Sequence, residues 1–380
     1  MFVSESTAQL AESPGGEPLA SPSPRIAQHA LRDVVPLDPW FFVRLCLFSA
    51  YVVGYVLFFI QKGLIIDRIS VTISVGIFIL IGHLGRPPRR WAWLLLDSLC
   101  YVVMWFAYEE SRGWADRAGF ELQLYAPRNI DRFLFFGTDP NVWMQRHFYN
   151  PRVVHWYDKV ASTTYFSHFI FPVIAIAVLW VTSHREWARF MKRFATLLFI
   201  ACAMFVILPT VPPWMADDKY HAIAPIARHT GRGFYALGLK GFTKAWESAL
   251  DWGNAVAAMP SLHASFALFV PAFFLPRIKP KALKALVLCF PLLMLSSLVY
   301  FGEHWVSDGL MGWLLVGFTF LFWGWVERRQ LRVRADRSRQ FLGLDEPDGR
   351  AGSTDRDLDE EAADLERMPI SDTFDETVSA

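Results

Sequence analysis

ALVLCFPLLMLSSLVYF (285–301), GEHWVSD (302–308) and GLMGWLLVGFTFLFWGWV (309–326) follow one another without a break. The outer two are apolar runs near the roughly 20 residues that carry a helix across a hydrocarbon core. They predict two spanning helices joined by a short polar turn that holds His304 and Asp308. The same kind of run recurs through most of the chain. Together the runs predict eight spans, at about 40–60, 66–84, 91–108, 161–182, 194–210, 262–276, 283–301 and 307–326. An all-α, polytopic membrane bundle is the expected fold, since in lipid every backbone polar group must be satisfied within the segment.

Composition agrees with that reading. Of 380 residues, 53% are hydrophobic and only 19% charged, with 33 Phe and 16 Trp. The net charge of +1 implies no polyanion partner, and no nucleic-acid role is expected. Cys46, Cys100, Cys202 and Cys289 each lie in an apolar run with no CxxC or zinc spacing, so they read as small packing residues. Trp40, Trp91, Trp180, Trp305 and Trp325 fall near span ends, where indole rings favour the interface.

Short basic loops stay on the cytoplasmic side. Arg86, Arg89 and Arg90 join the second and third spans, and Arg185, Arg189, Lys192 and Arg193 the fourth and fifth. Arg277, Lys279, Lys281 and Lys284 join the sixth and seventh, and a further arginine cluster follows the eighth. If the spans alternate, all four clusters share one face and both termini are cytoplasmic. Segments 109–160 and 211–261 then lie outside, the first with helices on the membrane surface, the second as a partly buried cap. Residues 1–38, rich in Ser, Pro, Ala and Glu, show no signal peptide and read as a disordered cytoplasmic tail, as do residues 327–380. The basic stretch 328–339 is expected against anionic headgroups. The transmembrane domain is 39–326, with its core at about 161–326.

His304 and Asp308 are four apart and share a helix face, so the carboxylate can accept from one imidazole nitrogen and leave the other as nucleophile or base. A His and an Asp that only cap a helix would look the same. In AMPSLH (258–263), a helix start explains Pro260 and Ser261, but not His263 one step into an apolar helix. Topology brings both motifs to the extracytoplasmic face. The amides near Ser261 offer a place for phosphate oxygens.

AMPSLH and GEHWVSD together resemble the second and third signature motifs of the type 2 phosphatidic acid phosphatase superfamily. LPTVPPW (208–214) and YFSH (165–168) resemble the branch that includes inositol phosphorylceramide synthases and its bacterial members. The resemblance runs over about 91–326. It implies that His304 is the nucleophile of a phosphohistidine intermediate and that Asp308 orients it. It further implies that His263 protonates the leaving alcohol and Ser261 binds a phosphate oxygen. No metal-type spacing of Asp, Glu and His appears, and neither metal nor cofactor is expected. Two departures stand out. Leu298 occupies the position of a phosphate-binding Arg, and Arg86-Pro87 lacks the preceding Lys of the first motif and falls on the cytoplasmic face. Arg112, Arg146, Arg228 and Arg232 are then the outer-face candidates for the phosphate. Tyr165, His168 and Trp214 are candidates for the substrate pocket, although a belt residue is the safer reading of Trp214.

The expected reaction moves a phosphoryl group or an inositol-phosphate-type headgroup between a membrane phospholipid or lipid phosphate and a lipid or water acceptor. The location implied is a bacterial plasma membrane. A phosphatase acting on a lipid phosphate or polyprenyl diphosphate is the alternative. A proton-coupled transporter would want ionisable groups nearer mid-membrane and an inverted repeat, and a scaffold has no need of the histidines.

Overall fold

The computed structural model describes residues 39–62, 68–250 and 254–341. In chain order its helices are α1 (Phe41–Lys62), α2 (Arg68–His83), α3 (Pro88–Trp114), α4 (Tyr125–Leu134), α5 (Pro140–Phe148), α6 (Trp156–Thr182) and α7 (His184–Ile207). There follow α8 (Pro213–Asp218), α9 (Arg232–Ala236), α10 (Lys240–Leu250), α11 (Leu262–Phe274), α12 (Lys281–Tyr300) and α13 (Val306–Phe341). Among the described residues there is no strand, only isolated bridges joining Gln123, Thr210 and Ala257.

Each expected span becomes one helix, but not all are full length. Six helices, α1, α3, α6, α7, α12 and α13, are long and apolar enough to cross a membrane. Helix α2 has 16 residues and α11 only 13, the latter followed by a 3₁₀ turn at Leu275–Arg277. Pro276 cannot donate to the α-helical ladder, which accounts for the early end of α11.

Two boundaries differ from expectation for the same reason. Helix α7 begins ten residues before position 194: Ser183 caps it, its Oγ accepting the Glu186 N–H at 3.4 Å. Helix α13 runs past 326 to Phe341, so residues 327–341, expected in a disordered tail, are helical; 342–380, like 1–38, lie outside the described residues. Both extensions are rich in charge, which suppressed the apolar signal, and both are held by ion pairs. Glu327 meets Arg193 at 2.6 Å and Lys192 at 2.6 Å, with Arg189 at 3.4 Å. Glu186 meets Arg189 at 3.0 Å and also pairs with Arg277.

Helix α11 is the centre of the bundle and packs on α6, α7, α12 and α13. At the ion-paired end its Phe269 and Phe273 join Phe190, Leu197, Leu179 and Val316 in one core. At the other end Ala264 and Ala267 pack with Tyr165, Leu298, Phe301 and Trp246. Outward faces stay apolar: only 6% of the Phe41–Phe58 window and 11% of Trp91–Trp114 is buried, and Leu321 is 72% exposed. Exposure on that scale needs lipid rather than water as solvent. The protein is a multi-pass membrane helix bundle.

Helices α4 and α5, expected to lie on the membrane surface, pack on α13 and α12 respectively. They and the segments 208–250 and 254–261 cap one end of the bundle. Trp305, expected in the interfacial belt, is fully buried in this cap, where its Nε1–H donates to Val211 O at 2.8 Å. All four cysteines are free thiols.

Candidate active site

The starts of α11 and α13 meet under the cap. Ser261 is the N-cap of α11: its Oγ accepts the Ala264 N–H at 3.3 Å, and its own N–H donates to Asp308 O at 3.0 Å. Gly312 permits this approach, since a Cβ there would lie 2.4 Å from Ser265 Oγ and 2.7 Å from Ser261 O.

The His304 side chain stands between the two helices. Its Nδ1 lies 3.2 Å from Asp308 Oδ2, and that oxygen also accepts the Trp305 N–H at 3.0 Å. Its Nε2 lies 3.2 Å from His263 Nδ1. The tautomer follows from the partners: the carboxylate takes the Nδ1–H, Nε2 keeps its lone pair, and His263 Nδ1–H points at it. Asp308 is wholly buried, and His304 is 7% exposed. A spacing that could have been a helix cap is thus an Asp–His–His chain.

His168 and Tyr165, both on α6, join this chain. The His168 ring is 4.2 Å from that of His263 and lies parallel to Phe266 at 5.2 Å; among the described residues its buried Nδ1 has no hydrogen-bond partner. The Tyr165 ring is 4.8 Å from His263.

The arginine candidates separate. Arg112, at the end of α3, lies over the Tyr108 ring at 5.1 Å, close enough to His263 to act on it electrostatically. Arg228 donates to both oxygens of Glu303, at 2.7 and 3.3 Å, and covers Trp214 at 4.5 Å. Trp214 lies in the cap, its N–H donating to Gly302 O at 2.9 Å. Arg146 is exposed on α5 and touches none of the three histidines. Arg232 binds the cap to α6, pairing with Asp158 at 3.7 Å and donating to the carbonyls of Asn150 and Val153. Leu298 is wholly buried in apolar packing. Arg86 lies two residues before α3, and Arg112 near its end. The 24 helical steps from Pro88 to Arg112 span about 36 Å at 1.5 Å per residue.

Several residues that hold this site carried no local signal. Asn141 Nδ2 donates to Val299 O at 2.9 Å and His304 O at 3.0 Å, and Gln145 Nε2 to Tyr300 O at 2.8 Å. Asp131 is fully buried and accepts the N–H groups of Val306 at 2.7 Å and Ser307 at 2.8 Å. Burial pushes its carboxyl up to about 6 against the pull of those amides. His229, whose Nδ1–H donates to Ala227 O at 2.8 Å, packs on Tyr149 and Tyr300, and burial lowers it to about 4. The signal that could have found Asp131 is Trp305: indole is a poor N-cap, so α13 needed an acceptor from elsewhere.

The inner helices of a membrane bundle thus assemble two histidines and a carboxylate under a cap. A family model described as the PAP2 superfamily matches residues 129–322, just over half of the chain, and the chain belongs to that superfamily. Membership makes it a phosphatase- or phosphotransferase-type lipid enzyme acting on a membrane lipid phosphate. No curated protein and no solved structure matches it.

Proposed function

We propose that the protein transfers a phosphoryl group or a phospho-headgroup, of the inositol-phosphate type, between membrane lipids through a phosphohistidine at His304. The observation that carries this is the contact of His304 Nε2 with His263 Nδ1 at 3.2 Å while Nδ1 is held by Asp308. In the first half, Nε2 forms a bond to phosphorus, and the phosphorus–oxygen bond to the leaving group breaks. His263, entering this step protonated on both nitrogens, gives its Nδ1 proton to the departing oxygen and becomes neutral. In the second half, an acceptor hydroxyl gives its proton back to His263, attacks phosphorus and releases His304. Asp308 balances the charge that His304 acquires. Ser261 and the first turn of α11 supply hydrogen bonds to phosphate oxygens. Arg112, stacked on Tyr108 and near His263, supplies the positive charge. Tyr165 and His168 wall the pocket.

Burial of the chain favours a lipid hydroxyl over water as acceptor, because a closed site keeps hydrolysis from competing. The proline-rich LPTVPPW and the large cap agree with the inositol phosphorylceramide synthase-like branch. A lipid phosphate phosphatase is the other outcome of the same chemistry. The basic loops support an orientation with the ion-paired end and both termini in the cytoplasm and the histidines at the outer face of a plasma membrane, with 39–326 as the catalytic domain.

The test uses protein in nanodiscs with a panel of radiolabelled phospholipids and lipid phosphates, in the presence of a chelator, comparing wild type with His304→Ala. A new headgroup-bearing lipid that disappears in the variant supports transfer. Free phosphate that disappears supports the phosphatase reading. Activity that survives His304→Ala sinks the mechanism.

A further inference from the structure

The turn from Val299 to Ser307 carries His304 and is held largely from the cap, by Asn141 on Val299 O and His304 O, Gln145 on Tyr300 O and Trp214 on Gly302 O. Gly302 sits at φ +72°, in the left-handed region, and a Cβ there would lie 2.9 Å from Ile226. Helix α13 begins at Val306, so Trp305 is its N-cap, and an indole cannot accept the first amides of a helix. Asp131 does so from α4, 175 residues away in sequence, with one oxygen on Val306 N–H and the other on Ser307 N–H. Asp308 completes the cap from inside, taking the Trp305 N–H on the same Oδ2 that holds His304 Nδ1. The direction of the His304 ring is therefore set by a junction that Asp131 locks.

We infer that Asp131 is a positioning residue for the transfer reaction: its carboxylate, fixed on the first two amides of α13, aligns the Asp308–His304 pair for attack on phosphorus. This rests on His304 as the nucleophile. Asp131 touches neither substrate nor the reacting nitrogen and acts through Asp308. The groups that face it are Ser307 and Asp308 on α13; Arg128 and Arg132, on its own helix, lie toward Asp139 at 3.4 and 4.0 Å. No cation on α4 competes with the amides for the carboxylate. The N-terminus of α13, which would otherwise attract a phosphate, is filled by protein, and the phosphate is directed to the neighbouring start of α11.

The test compares two small anions. Orthovanadate takes the five-coordinate shape of phosphoryl transfer on a nucleophile; inorganic phosphate does not. A positioning residue matters to the first more than to the second. Binding of each is read by calorimetry in detergent for wild type, His304→Ala and Asp131→Asn. The expected result is a tenfold or greater loss of vanadate affinity in Asp131→Asn, with phosphate affinity within twofold of wild type. Equal vanadate affinity in Asp131→Asn and wild type overturns the inference, as does a parallel loss of both anions, the mark of a general structural role. Vanadate binding that survives His304→Ala, or wild type that binds neither anion, overturns the nucleophile reading instead. Should Asp131→Asn not fold, Asp131→Glu moves the same charge by one methylene. A several-fold loss of vanadate alone then supports the inference, and no change overturns it.

Discussion

The two ends of the bundle hold ionisable groups in opposite ways. At one end Glu186 and Glu327 meet Arg189, Lys192, Arg193 and Arg277, so that partly buried charges of both signs face each other. At the other end His168, His263 and His304 stand ring to ring with the Asp308 carboxylate, and among the described residues the buried Asp308 Oδ1 and His168 Nδ1 have no hydrogen-bond partner. The first arrangement satisfies its charges and fixes helices. The second groups like with like, which stability alone does not reward, and its unused polar atoms are where a reacting molecule can be bound. Composition at membrane depth does not separate structure from function here; the pairing of the groups does.

Four substitutions test that contrast. The largest effect belongs to His304→Ala, which should lower turnover on the order of 10⁴-fold or more while leaving thermal stability in detergent nearly unchanged. His263→Ala should cost roughly 10²–10⁴-fold, the usual worth of a general acid. An amphiphilic aryl phosphate, whose phenolate leaves without a proton, should recover most of that loss in initial-rate assays; no recovery would take the proton-donor role from His263. Glu327→Gln should do the reverse. It leaves three cations facing a neutral amide and should cost about 3–5 kcal/mol of stability, read as an earlier unfolding midpoint, with turnover of the folded protein unchanged.

The smallest effect is one of pH. The folded Asp131 carboxyl is raised from 3.8 to about 6. A raised acid favours folding fully below its unfolded value, and that contribution is lost as pH rises through the folded one. Relative to Asp131→Asn, wild type should lose up to about 3 kcal/mol of stability between pH 4 and pH 6, two units at 1.36 kcal/mol each. Parallel unfolding midpoints for the two proteins across that window would show that Asp131 ionises as freely as in an unfolded chain.

Much of this was legible in the chain and some was not, for identifiable reasons. Apolar runs located all eight helices, because burial in lipid leaves a period-independent signature. They failed at the first turns of α7 and the far end of α13, where charge reads as loop unless its partner is known. Glu327 and Arg193 are 134 residues apart, and nothing local announces their bond. His304, Asp308 and His263 were visible because their spacing and depth are unusual in themselves. Asp131, Asn141 and Gln145 were not, because each is an ordinary polar residue in a charged segment and acts on backbone groups, which carry no sequence label. Trp305 misled: an aromatic at a span end usually marks the interface, yet this one is the floor of the cap.

The cap itself has a consequence for traffic. It is fastened to the bundle by Asn141, Gln145, Asp131, Trp214 and Trp305, each bonding to a main-chain group of the layer below or beside it. Lifting it would strand several backbone donors and acceptors at once, at about 1–3 kcal/mol for each buried group left unmade. A roof bolted down in this way leaves the walls as the doorway. On the proposed function, a substrate of lipid size would then arrive by diffusing within the leaflet, and turnover would follow its mole fraction in the membrane rather than its concentration in the surrounding water.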